Sequence, residues 1–208
     1  SVSKVQTAYG IVDIMMHTLE RYFHTSSDNE PADGFAEALL RSVIKAAKVV
    51  DKNPTDYDAR AVLMLMSSLS HNGLTSIGKK MLLFVHQIEH AVSGVYPEVA
   101  HAAGLSVLFP AWAKYYVNYD VDKFNKLAMN VFDLHKKDKM ENAKAGIKEI
   151  EKLFASLDMP LTFKDLGIKN VDIKRIVNIV TNNGTRVIEH PKKNMDSEVV
   201  QTIIESCL

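Results

Sequence analysis

The sequence predicts an all-α fold, one domain across residues 1–208, and three observations carry that prediction. Apolar residues recur at three- and four-residue spacing through most of the chain, the period of a helix with one buried face. No stretch alternates polar and apolar residues for long enough to make a strand. Turn-forming residues punctuate the helical runs, with no internal repeat and no low-complexity segment.

Ile11-Val12, Ile14-Met15, Leu19 and Tyr22-Phe23 mark a first helix, which the polar stretch Thr25–Pro31 interrupts. A second helix is predicted over Phe35–Val50, with Leu39-Leu40, Val43-Ile44 and Ala47 on one face. Asp51–Pro54 reads as a turn, and Asp56 as the N-cap of a helix carrying Ala61 to Leu69. From Ala61 to Pro110 the chain is apolar with few charges, so this segment is expected to form the buried centre. Pro97 should end or start a helix, placing His101 in the first turn of a new one after the bend at Gly94–Pro97. Beyond Trp112 the pattern is that of ordinary amphipathic helix, clearest over Lys144–Phe154. Asp158–Gly167 follows as a loop with one short turn. Asn182-Asn-Gly184 is a turn signal, and Asp196 is placed to cap a last helix.

Composition narrows the function classes. Hydrophobic residues make up 47% and charged residues 24%, the balance of an ordinary globular protein. Lys+Arg and Asp+Glu each total 25, which argues against a nucleic-acid binder, since that needs a basic face. No apolar run approaches the roughly 20 residues that span a bilayer, and no signal-peptide pattern opens the chain. The single cysteine, Cys207, allows no intrachain disulfide and fits a reducing, cytoplasmic setting; it reads as a tail residue and not as a nucleophile. The N-terminus opens directly in the lead-in to a helix, as a piece of a longer chain would.

The chemistry lies in two separated stretches: Asp13-Ile-Met-Met-His17, and His86-Gln-Ile-Glu-His90 followed by His101. Each pair has i,i+4 spacing, so both side chains project from one helix face about one turn apart. Three imidazoles and a carboxylate drawn from these residues form a set that could close on one divalent cation. Imidazole suits iron, zinc and nickel, and the carboxylate shifts the preference toward Fe(II). Four protein ligands still leave a position for substrate if the metal becomes five-coordinate. Of the eight histidines, His24, His135 and His190 sit among polar neighbours and are expected to be solvated. The remainder lie in apolar context, where imidazoles buried without partners are costly.

Ile88-Glu-His-Ala-Val-Ser-Gly-Val-Tyr-Pro-Glu-Val-Ala-His-Ala-Ala-Gly-Leu-Ser-Val-Leu-Phe-Pro-Ala-Trp112 resembles the signature of the iron-containing (group III) alcohol dehydrogenases, in their butanol dehydrogenase-like branch. Gly10–Phe23, Ser70-His-Asn-Gly-Leu74 and Ile147–Pro160, running on to Leu166-Gly-Ile168, resemble further segments of that family in the same order. The resemblance implies a multi-helix, dehydroquinate synthase-like C-terminal domain that carries the metal. The family's glycine-rich N-terminal nucleotide-binding domain is not present in these residues. It further implies Asp13, His17, His86 and His101 as metal ligands, with Fe(II), or else Zn(II) or Ni(II), as the cofactor. His90 matches the histidine near the nicotinamide and the substrate oxygen, a catalytic and cofactor-binding position suited to proton relay or positioning. The stretch from His90 to His101 is one residue longer than the family's commoner form. His71 also matches the branch and reads as a supporting residue, while Glu89 and Asn72 are candidates, on position alone, to orient the imidazoles.

On this reading the reaction is NAD(P)-linked interconversion of a small alcohol and its aldehyde. NADH or NADPH would be held mainly by the other domain, and the 208 residues alone would be inactive. Without that domain the apolar surface around 86–112 is expected to be exposed, which would favour a homodimer. Two other readings compete. A non-catalytic helical domain with core histidines predicts no stoichiometric metal. A dehydroquinate synthase-like lyase would want more basic residues near the site to hold a phosphorylated substrate.

Overall fold

A computed structural model describes residues 2–24, 29–80 and 82–208. The described residues form nine helices: α1 (Lys4–Phe23), α2 (Glu30–Lys52), α3 (Tyr57–His71), α4 (Phe84–Val95), α5 (His101–Tyr116), α6 (Val121–Phe132), α7 (Lys139–Ser156), α8 (Ile173–Val180) and α9 (Ser197–Glu205). A 3-10 turn spans Leu74–Ser76. The sole extended pairing among the described residues is an isolated antiparallel bridge between Ile188 and Met195.

Most helix starts follow from a side chain that satisfies the free amides of the first turn. Ser3, Asn29, Asp56, Asp138, Asp172 and Asp196 each accept from the amide three residues on. Asp56 and Asp196 act as the sequence predicts. Asn29 moves the start of α2 ahead of Phe35: its Oδ1 accepts from Ala32 N, and Pro31 sits in the first turn, where a missing amide costs nothing. Glu30 and Pro31 therefore belong to the helix and not to the predicted break, and α2 runs on through Asp51-Lys52. Of the remaining break, positions 25–28 lie outside the described residues, as does Met81. Neither α4 nor α5 has a side-chain cap of its own, since Leu83 and Ala100 precede them.

α1 runs through the centre, buried over Ile11–Phe23 except at Asp13 and His17, and packs against α2, α3 and α5. α5 is the other central helix, with Leu105, Leu108, Phe109, Trp112 and Tyr116 fully enclosed. Phe23 stacks on Phe124 with centroids 4.2 Å apart, and Phe84 lies 4.5 Å from Trp112. Each such ring buries roughly 150–250 Å². α6 and α7 approach closely at Gly146, where a Cβ would lie 2.9 Å from Cβ of Ala128.

Two expectations about the burial of whole segments fail. The predicted buried centre over 61–110 begins later, because α3 lies on the surface with Met64 74% exposed and Leu65 56% exposed. The apolar surface around 86–112 is not exposed either, since α5 is enclosed by α1, α4, α7 and α9. No described helix is long and apolar enough to cross a membrane.

Candidate metal centre

Three helices converge on one carboxylate. α1 presents Asp13 and His17 on one face, α4 presents His86 from its first turn, and α5 begins at His101. His17 Nε2, His86 Nε2 and His101 Nε2 each lie 3.7 Å from Asp13 Oδ1. The extra residue between His90 and His101 does not prevent this, because the turn over Tyr96–Ala100 returns α5 against α4. His71, at the end of α3, places Nε2 3.8 Å from Asp13 Oδ2 and its ring 3.9 Å from that of His17.

A separation of 3.7 Å is too long for a hydrogen bond. Asp13 Oδ1, His17 Nδ1 and His86 Nε2 are buried with no hydrogen-bond partner among the described residues. Leaving several such atoms unmatched at one point is costly, and native interiors avoid it. The donor atoms of Asp13, His17 and His86 all lie within 4.8 Å of one another. One carboxylate with surrounding imidazole nitrogens is a donor set that could hold a divalent cation, so the residues present fit the group.

Buried carboxylates stand behind two of the imidazoles. Glu20, on α1, is fully buried and accepts from His86 Nδ1. Glu89, on α4, is fully buried and accepts from His101 Nδ1 and from Ser93 Oγ. Glu89, a candidate on position alone, thus contacts one of the imidazoles. Asn72 does not: its Oδ1 accepts from Leu74 N at 3.0 Å and closes its own turn. Glu20 was not predicted, although it sits on the face of α1 that carries Asp13 and His17, as a lone carboxylate among Leu19, Tyr22 and Phe23.

The electrostatics reflect this crowding. Burial opposes the imidazolium form of His86, yet Asp13 and Glu20 outweigh it and raise the ring to about 9. Burial also pushes Glu20 upward. Against that burial, the amides of Val85 and His86 donate to Glu20 and favour its charged form, as does the His86 ring beside it. His17 is lowered to about 3, first by burial and then by the nearby His86. His90 stands at the open edge with its ring 5.4 Å from His101 and 6.1 Å from His86, outside the group around Asp13.

Two histidines expected in solvent are buried: His24, at the end of α1, and His190, near the isolated bridge. His190 is enclosed by Phe84, Trp112 and Tyr116, with ring centroids at 5.0, 5.7 and 4.6 Å. His135 is exposed as predicted, beside Asp133 at 2.8 Å. Cys207 is also buried, and burial pushes its thiol up to about 12, which leaves it inert.

The model of the "Fe-containing alcohol dehydrogenase family, C-terminal" matches residues 7–207. The chain belongs to this family. Within the Fe-containing alcohol dehydrogenases, it is 42% identical over 170 residues to NADH-dependent butanol dehydrogenase A of Clostridium acetobutylicum, covering 81% of this chain and 43% of that protein. It is 32% identical to the probable NADH-dependent butanol dehydrogenase 1 of Bacillus subtilis, covering 100% of this chain and 53% of that one. The crystal structure of NADH-dependent butanol dehydrogenase A from Thermotoga maritima superposes with a TM-score of 0.91 at 30% identity, over 100% of this chain and 53% of that one. The chain thus spans about half the length of the curated relatives it matches. The chain has the all-helical architecture of the corresponding half of its structural relatives.

Proposed function

We propose that this chain is the metal-holding half of an NAD(P)-dependent alcohol dehydrogenase that interconverts small alcohols and aldehydes. Asp13, His17, His86 and His101 hold one divalent cation, Fe(II) or else Zn(II) or Ni(II). The observation that carries this reading is the approach of three imidazole Nε2 atoms to 3.7 Å from one carboxylate oxygen. The names of the butanol dehydrogenase relatives support the substrate class.

When bound, the cation supplies Lewis acidity, polarising an aldehyde carbonyl or lowering the pKa of an alcohol. The chain's own part is positional. Asp13 places its charge at the centre of the group, and the imidazoles come from separate helices that packing holds rigid. His90, one turn along α4 from His86, stands at the mouth, where it orients the substrate oxygen or passes its proton outward. The nicotinamide supplies the hydride chemistry from a nucleotide-binding domain outside these 208 residues. On that reading the chain alone binds metal and does not turn over.

Metal stoichiometry by mass spectrometry, after anaerobic loading with Fe(II) or Zn(II), tests the assignment. About one ion per chain is expected, with loss in His86→Ala and Asp13→Ala. Normal metal content in either folded variant removes that residue from the ligand set. Of the competing readings, the non-catalytic domain predicts no such ion.

A further inference from the structure

Glu20 and Glu89 occupy parallel positions that metal binding alone does not explain. Each is fully buried, each accepts from the Nδ1 of one imidazole, and each leaves the Nε2 of that imidazole facing Asp13. With a carboxylate seated on Nδ1 in both cases, Nε2 is the nitrogen left facing the centre and available to a cation.

Glu20 has a second task. α4 lacks a cap of its own, and the Glu20 carboxylate, reaching across from α1, accepts from Val85 N at 2.7 Å and from His86 N at 3.3 Å. These are the second and third amides of α4, the ones an N-cap side chain ordinarily satisfies. One carboxylate therefore fixes where α4 starts, how it registers against Asp13 and His17, and how the His86 ring is turned. Glu89 is held just as firmly. Its second oxygen accepts from Ser93, and it fits only because residue 104 has no side chain: a Cβ there would lie 2.7 Å from Oε1 and 2.8 Å from Cγ.

We propose that Glu20 and Glu89 are paired positioning residues, which orient His86 and His101 for the cation, and that Gly104 is the clearance Glu89 requires. The proposal rests on the ligand set given above. Partners of this kind govern metal affinity by about 10–100-fold in other histidine sites. The two carboxylates differ in what replaces them. Gln at 89 can still accept from His101 while its amide donates to Ser93 Oγ, so Glu89→Gln is satisfied. Gln at 20 has one acceptor oxygen against three N–H donors, so Glu20→Gln is not.

The test uses the 208-residue chain and Co(II), with affinity from chelator competition, the ligand-field absorption spectrum, and urea unfolding in EDTA as a measure of the apo fold. Glu20→Gln, Glu89→Ala and Gly104→Ala should each weaken Co(II) binding by about 10–100-fold and alter the spectrum, and Glu89→Gln should restore both. Wild-type affinity and spectrum in folded Glu89→Ala and Glu20→Gln overturn the proposal while leaving the ligand set standing. Equal losses in Glu89→Gln and Glu89→Ala that track apo stability also overturn it, because the role is then structural. A wild-type chain that takes up no Co(II) overturns both this proposal and the ligand set. Asp13→Ala, losing the metal when wild type binds it, keeps the two failures apart.

Discussion

His24 and His190 face each other across the core with ring centroids 6.2 Å apart, one from the end of α1 and one from the segment before the last helix. Both are buried, and among the described residues neither His24 nitrogen has a hydrogen-bond partner and His190 Nε2 has none. Burial is the main cause that holds them neutral, lowering His190 to about 3 and His24 in the same direction.

This pair makes the fold acid-sensitive. A histidine depressed from 6.5 in the unfolded chain to about 3 in the folded one contributes stability that is present above 6.5. That stability falls as pH drops from 6.5 toward 3, because only the unfolded chain takes up the proton there. Each such histidine contributes a slope of up to about 1.4 kcal/mol per pH unit. Urea unfolding between pH 7 and pH 5 should show the loss. His190→Phe, which suits the surrounding rings, should flatten the slope by close to one proton; an unchanged slope would remove His190 as its source.

A second sensitive point is Asp33 on α2. Its side chain is fully buried and pairs with Lys79 at 2.7 Å and with Lys123, both themselves enclosed. Removing one member of a buried ion pair leaves the other uncompensated, at a cost of about 3–5 kcal/mol. Asp33→Ala should therefore be among the most damaging single changes in the chain. A chemical denaturation midpoint within experimental error of wild type would show that the lysines find other partners.

Gly146 sets two effects against each other. Alanine in a helix interior gains about 1 kcal/mol over glycine. Its Cβ, however, would meet Ala128 at 2.9 Å from Cβ and 3.1 Å from Cα, and a backbone atom cannot swing aside. Overpacking costs about 1–3 kcal/mol. The clash should win, and Gly146→Ala should lower the thermal midpoint. A rise would mean that α6 and α7 separate easily.

Cation binding should itself stabilise the fold, since the donors around Asp13 are assembled only in the native state. At a free Zn(II) concentration 100 times Kd the gain is about 2.7 kcal/mol. Urea titrations with Zn(II) and with EDTA measure it, and the difference should vanish in His86→Ala. A His86→Ala chain that responds to Zn(II) like wild type would place the stabilising ion elsewhere.

Much of this architecture was legible residue by residue. Asp56 and Asp196 announce their helices because capping is a local contact between a side chain and an amide three residues on. Asp13 with His17, and His86 with His90, declare shared faces because helical periodicity is local. The family signature at 88–112 then tied these stretches to the C-terminal domain of the Fe-containing alcohol dehydrogenase family. Burial could not be read in the same way. Polar neighbours made His24 and His190 look solvated, and an apolar run made α3 look central, yet each outcome depends on which distant helix lies above.

The sequence by itself thus determined the helical class, the starts of α3, α5 and α9, and the family. Only the tertiary structure decided that three imidazoles from three helices gather around one oxygen of Asp13, and that Glu20 both caps α4 and contacts His86 Nδ1. The reason is physical. Periodicity and capping act over a few residues of one helix, whereas a cluster of donor atoms and a cross-helix cap exist only once α1, α4 and α5 are packed against one another.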